Sequence, residues 1–182
     1  IDLEFVFDKI KSTVPEKFLY NIDAIYIGHF NAMEVKHVNA FYQDGTIYVS
    51  NVQDDEADMI DDIIHEIAHA VEEQYGMQLY SDGEIEKEFM IKRHKLENIL
   101  KYHEFETKGL DFQNLKFNPA FDELLHIKIG YPTLSTLSSG LFYSPYGITS
   151  LREYFSEIFE AFFNKREWSA LRKISPAVIN KI

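Results

Sequence analysis

The sequence predicts an α+β domain, with a small mixed sheet near its start and a mainly helical remainder. Three observations carry that reading. Strand-like runs of β-branched and aromatic residues all lie before Asn51. Beyond it, apolar residues recur at three- and four-residue spacing over long stretches, as amphipathic helices require. A chain of 182 residues, 46% apolar and 15% aromatic, has the material for one buried core. We therefore expect a single domain over 1–182, with an N-terminal lobe over about 1–76 and a helical C-terminal lobe over about 77–182.

Residues 2–13 read as a helix on Leu3, Val6, Phe7 and Ile10, ended before Pro15. Ala24 to Gly28 reads as a strand. Val38 to Tyr42 and Thr46 to Ser50 form an antiparallel hairpin about Gln43-Asp44-Gly45, where glycine accepts a positive φ. The acidic loop 51–56 suits the N-terminal end of a following helix. That helix spans 56–75, with Met59, Ile60, Ile63, Ile64, Ile67, Ala68 and Val71 as its apolar stripe and Gly76 as its expected cap. A second long helix, 84–104, buries Phe89, Leu96, Ile99 and Leu100, and its charged residues are expected to face water. Pro119 opens a helix to about 129, stopped by Gly130 and Pro132. Residues 133–148 read as a long loop with room for one short helix. Ser150 and Glu153 form a capping box for a helix to about Asn164. Short helices near 166–173 and from Pro176 close the chain.

The net charge of −12 argues against nucleic acid, whose phosphates require a basic patch, and against an anionic membrane surface. No apolar run is long enough to span a membrane. Cysteine is absent, so any metal must be held by histidine and carboxylate. The start at Ile1 rather than Met leads us to expect a processed or trimmed chain, with a removed signal peptide as one route.

The chemistry centres on His65-Glu66-Ile67-Ala68-His69. Residues four apart stack on one helix face, so His65 and His69 can direct two imidazoles at one ion. Zinc is the expected cofactor, one ion, with a position left to water. Glu66 lies about 100° round the helix from His65, placed to hold that water. A third protein ligand is needed, and helix 150–164 offers Glu153, Glu157 and Glu160. Glu153 and Glu157 share one face among apolar neighbours, where a carboxylate needs a partner. One can bind the metal while the other orients a histidine through its free N–H. Glu160 is expected to face solvent. His29, His37, His94, His103 and His126 lack ligand spacing and read as surface or packed residues.

His-Glu-x-x-His followed far downstream by Glu153-x-x-x-Glu157 on a helix resembles the gluzincin class of zinc peptidases. More narrowly, Tyr146-Gly147 followed by Glu153-Tyr154-Phe155-Ser156-Glu157-Ile158-Phe159 resembles the anthrax lethal factor-like metalloproteases, which include the Pro-Pro endopeptidases. The resemblance implies a zincin-like metalloprotease fold, Glu153 as third zinc ligand and Glu157 behind a ligand histidine, most naturally His69. It also implies a catalytic tyrosine seven residues before Glu153, which is Tyr146, with Tyr143 as its near rival. Asn39-Ala40-Phe41-Tyr42 is similar to the substrate-binding edge strand of thermolysin-like gluzincins, which marks Asn39 and Ala40 as substrate-binding. The family also suggests secretion. Residues 76–142 exceed the spacing of its compact members, and this insertion is expected to shape specificity or cover the site.

The expected function is zinc-dependent endopeptidase, with a peptide or protein as substrate. Zinc polarises the scissile carbonyl and acidifies its bound water, Glu66 carries the proton from that water to the leaving amine, and Tyr146 donates to the oxyanion. The substrate extends along strand 38–42. The alternative is an inactive zincin-like binding or toxin module, against which the intact Glu66 speaks. A structural zinc domain is disfavoured because those sites use cysteine or close with four protein ligands. Cleavage specificity and oligomeric state are not written in these motifs.

Overall fold

A computed structural model describes residues 1–182, the side chain of Lys36 excepted. The fold is α+β, with a three-stranded mixed sheet and nine α-helices among the described residues. The chain divides into two compact units. The first comprises Ile1–Gly76 and Phe159–Arg166, the second Met77–Ile158 and Glu167–Ile182. The first unit thus takes back residues 159–166, which lie in the lobe expected to be wholly C-terminal.

In the first unit, helix α1 (Leu3–Thr13) starts on Asp2, whose side chain accepts from the Phe5 N–H at 3.1 Å, and it buries Val6 and Ile10. Strand β1 is Ala24–Gly28, and a short helix α2 follows at Asn31–Lys36, which the sequence reading missed. Strands β2 (Ala40–Gln43) and β3 (Thr46–Ser50) form the expected hairpin. Asp44 and Gly45 turn it at φ 47° and 81°, the two-residue turn that matches strand twist. Gly45 is required twice over, because a Cβ there would also come 2.7 Å from Asp23 Oδ2. The sheet order is β1-β3-β2, with β1 parallel and β2 antiparallel to β3, so β2 is an edge strand. Ile47 and Val49 of β3 are fully buried.

Helix α3 (Glu56–Tyr80) carries the His-Glu-x-x-His motif and buries Met59, Ile60, Ile63, Ile64, Ile67 and Ala68, the stripe read from the sequence. It does not stop at Gly76. A mid-helix glycine costs only about 1 kcal/mol, and the helix continues to bury Leu79 one turn on. Phe18 ties the returning segment to this unit, with ring centroids 5.5 Å from Phe159, 5.9 Å from Phe163 and 6.1 Å from Tyr75.

The second unit is helical. Helix α4 (Glu84–Tyr102) buries Ile85, Phe89, Leu96 and Leu100, but also Lys92 and Arg93, so the expectation that its charges face water fails there. Arg93 is 1% exposed. Its guanidinium stacks 3.8 Å from the Phe121 ring centroid and Nη1 donates to the Asn114 carbonyl at 3.1 Å. Helix α5 (Pro119–Glu123) is capped by Asn118, and a π-helical turn at Leu124–Ile129 carries it to Gly130. Pro132 then sits in the first turn of a new helix, α6 (Tyr131–Leu137), where its missing N–H costs nothing. The stretch read as loop 133–148 is therefore partly helical, with a 3-10 turn at Tyr146–Ile148 as well. Helix α7 (Leu151–Glu160) opens with the Glu153 N–H donating to Ser150 Oγ at 3.2 Å, and a π-helical turn at Ala161–Lys165 prolongs it. Helices α8 (Trp168–Ile174) and α9 (Pro176–Ile179) complete the chain. No helix is long and apolar enough to cross a membrane.

Candidate metal centre

The first unit gathers His65, Glu66 and His69 on one face of α3, each offering a ligand atom within 4.8 Å of the others. The i, i+4 spacing sets the two imidazoles 5.0 Å apart between centroids and nearly perpendicular, at 84°. Glu66 is 7% exposed and His69 6%. Carboxylates and imidazoles buried this far need polar or ionic partners.

The partners of the histidines are carboxylates. His69 Nδ1 lies 3.3 Å from Glu72 Oε2, one turn along the same helix. His65 Nδ1 lies 3.6 Å from Glu160 Oε2, an ion-pair distance. Glu160 is not the solvent-facing residue expected of it, since its side chain is 12% exposed. Its other oxygen sits 3.4 Å from Lys165 Nζ, which reaches Asp61 Oδ2 at 2.8 Å, and Asn164 also donates to Asp61. The π-helical turn that starts at Ala161 carries Asn164 and Lys165 to these partners, and such turns recur at functional sites. A carboxylate on Nδ1 favours the proton on that nitrogen and leaves Nε2 as the lone-pair atom.

Asp62 stands one turn before Glu66. Gln53 donates to it at 2.9 Å. Burial is the main force on its carboxyl, which is pushed up to about 6, with the charges of Asp58 and Glu66 in the same direction and the Gln53 bond and His65 opposing.

Asn39 and Ala40 lie at the start of β2, where Ala40 is buried, Asn39 exposed and the Asn39 carbonyl accepts from the Ser50 N–H at 2.7 Å. The hairpin tip is tied to α3 through Tyr42, whose hydroxyl accepts from the Gly45 N–H at 2.9 Å and bonds Glu73. Burial and that carboxylate raise the Tyr42 phenol above its ordinary range.

Glu153 and Glu157 belong to the second unit, half-buried on α7. The 3-10 turn holding Tyr146 packs against that helix. A Cβ on Gly147 would meet Glu157 Cγ at 3.5 Å and the Tyr154 backbone at 3.6 Å. Tyr146 is 36% exposed and Tyr143 half-buried. The charges of these carboxylates also act on a further phenol. Tyr131 is pushed up to about 12 by burial first, then by Asp122, Glu157 and Glu153.

The sequence reading thus missed Glu72, Asp62 and Tyr131. Glu72 and Asp62 could have been found by stepping three residues from His69 and His65 along the helix. Nothing in the sequence singles out Tyr131. The cluster of His65, Glu66 and His69 could hold a metal ion, and a carboxylate stands behind each histidine. No family model matches the chain, and neither a curated protein nor a solved structure matches it.

Proposed function

We propose that the protein is a zinc-dependent endopeptidase of the gluzincin kind, with the zincin-like fold and the lethal factor-like resemblance that its motifs suggest. The observation that carries this reading is the pairing of Nδ1 of both motif histidines with carboxylates, at 3.3 Å and 3.6 Å, around a buried Glu66. Carboxylate–histidine pairs of this kind typify metal ligands and fix the ring for Nε2 ligation.

In this reading His65 and His69 hold the ion, Glu153 is the third ligand and Glu157 supports the ligand set. A bound zinc supplies a Lewis acid and lowers the pKa of water. The rest falls to the chain. Glu66 takes the proton from the attacking water and delivers it to the leaving amine. Its burial suits this, because a carboxylate shielded from bulk water keeps its proton for the leaving group. Tyr146 donates to the oxyanion as it forms. Strand β2, at the sheet edge, offers main-chain groups to an extended peptide beginning near Asn39 and Ala40.

The test is cleavage of a random peptide library by zinc-loaded protein, run beside the chelated protein and its zinc-restored counterpart. Cleavage that disappears with chelation and returns with zinc is the expected result. A library left intact by fully loaded protein would overturn the activity and leave a metal-holding module.

A further inference from the structure

We propose that a lysine-walled cavity in the second unit binds a small amphipathic anion, a carboxylate or phosphate head on an apolar body. The cavity has a volume of about 540 Å³, within the range of small-molecule sites. Every residue lining it belongs to that unit, and none is among the residues assigned to peptide hydrolysis, so the proposal stands apart from that activity.

Lys87, Lys92, Lys95, Lys173 and Lys181 line it. The whole chain has 18 Lys and Arg against 30 Asp and Glu, so this gathering runs against the overall charge. Three acids share the cavity, and two are engaged. Asp82 Oδ2 lies 2.5 Å from Lys181 Nζ. Glu88 accepts from the Tyr154 hydroxyl at 2.7 Å and from the Ala177 N–H at 3.0 Å, and its charge favours the Lys92 ammonium. Lys87, Lys95 and Lys173 then face Glu84 alone, and none of the three makes an ion pair among the described residues.

Lys92 forms the floor. Its ammonium donates to the Tyr154 hydroxyl at 2.7 Å, to Ser175 Oγ at 3.3 Å and to the Ile174 carbonyl, so its own protons are used internally. Burial pushes it down to about 8, and the neighbouring charge of Lys95 pushes the same way. With five lysines against three carboxylates the lining keeps an excess of positive charge, and a recess of low polarity sharpens its field. Part of the wall is apolar: Leu141 and Ile174 line the cavity beside Ile91, which is 48% exposed. A head group that meets lysine and a body that covers Ile91 satisfies both features. A polyanion such as nucleic acid does not, because the remaining surface of a chain at −12 repels it.

The experiment is calorimetric titration of the full chain with phenyl phosphate, phenylacetate, inorganic phosphate and benzyl alcohol. At least one aromatic anion should bind saturably at one site, and the tighter of the two identifies the head group. Inorganic phosphate and benzyl alcohol should each bind at least about tenfold more weakly. The double variant Lys95→Glu, Lys173→Glu changes only exposed positions, and an unchanged circular dichroism spectrum will verify its fold. It should lose at least about tenfold in affinity, while Lys17→Glu in the first unit should lose none. The proposal is overturned if neither aromatic anion saturates, if the double variant binds as well as the parent, or if inorganic phosphate matches phenyl phosphate.

Discussion

In the first unit two histidines each turn one ring nitrogen to a carboxylate, at 3.3 Å and 3.6 Å. In the second unit Lys92 gives its protons to a phenol, a serine and a main-chain carbonyl. Both are buried ionisable groups with partners, but their chemistry differs. An imidazole has a second nitrogen, and fixing the first by a carboxylate raises the basicity of the second. An ammonium has no acceptor, and once its three donors are matched nothing remains to offer. Burial with partners therefore does not mark a reactive group. What matters is whether the partners leave a reactive atom in reserve.

The largest expected effect lies at the histidine cluster. Glu66→Gln preserves size and burial but removes the base. Hydrolysis should fall by about 10²–10⁴-fold, with zinc content and melting temperature held. Turnover near the parent level would show that the buried carboxylate beside the histidines is not the base. The counterpart in the second unit is Lys92→Met. It breaks the bonds to Tyr154, Ser175 and the Ile174 carbonyl and takes the Lys92 charge away from the half-buried Glu88. Leaving the partners of such a network unsatisfied costs about 1–3 kcal/mol. Urea denaturation should show that loss, while zinc affinity stays unchanged. A loss much below 1 kcal/mol would mean that water replaces the Lys92 bonds at little cost.

How far the sequence announced these regions follows from the kind of order each has. The histidine motif was legible because helical periodicity is local: the stripe from Met59 to Val71 fixes the face, and the spacing fixes the pair. The hairpin was legible for the same reason, with Asp44-Gly45 at its turn. The Lys92 network was not. Its partners Tyr154 and Ser175 are 62 and 83 residues away, and a lysine on an amphipathic helix reads as solvated until those partners are placed. Gly76 and Pro132 misled because each residue has two meanings. A glycine ends a helix or merely weakens it, and a proline stops one helix or starts the next. Glu160 was misread because nothing local ties it to His65, 95 residues earlier, the gap between the two numbers.

A smaller effect should separate the two histidine partners. Glu72→Ala and Glu160→Ala each remove the carboxylate from one Nδ1, and zinc affinity should fall by about 10- to 100-fold in each. Competition with a chromophoric chelator reads this directly. Glu72 stands closer to its nitrogen than Glu160 does to its own, 3.3 Å against 3.6 Å, and Glu160 divides its charge with Lys165. The Glu72 variant should therefore lose more. Unchanged affinity in both would reduce these carboxylates to ordinary ion pairs.

The smallest effect is electrostatic and concerns Asp62. Its carboxyl is pushed up to about 6 in the folded chain, chiefly by burial, whereas an unfolded aspartate titrates near 3.8. Below that lower value both states hold the proton and the group is neutral in folding. Between the two values the folded state holds a proton that the unfolded state has released, so stability falls as pH rises. Above about 6 the folded chain carries a charge next to Asp58 and Glu66, with only Gln53 and His65 on the favourable side. The full shift corresponds to about 3 kcal/mol, and the half-buried position of Asp62 reduces this to about 1–2 kcal/mol. Asp62→Asn keeps the shape and stays neutral throughout. In chelated protein the variant should match the parent in urea denaturation at pH 4 and exceed it by that margin at pH 7.5, the difference opening between about pH 4 and 6. A constant difference across that range would show that Asp62 keeps an ordinary carboxyl, and that burial on this face of α3 is no obstacle to charge.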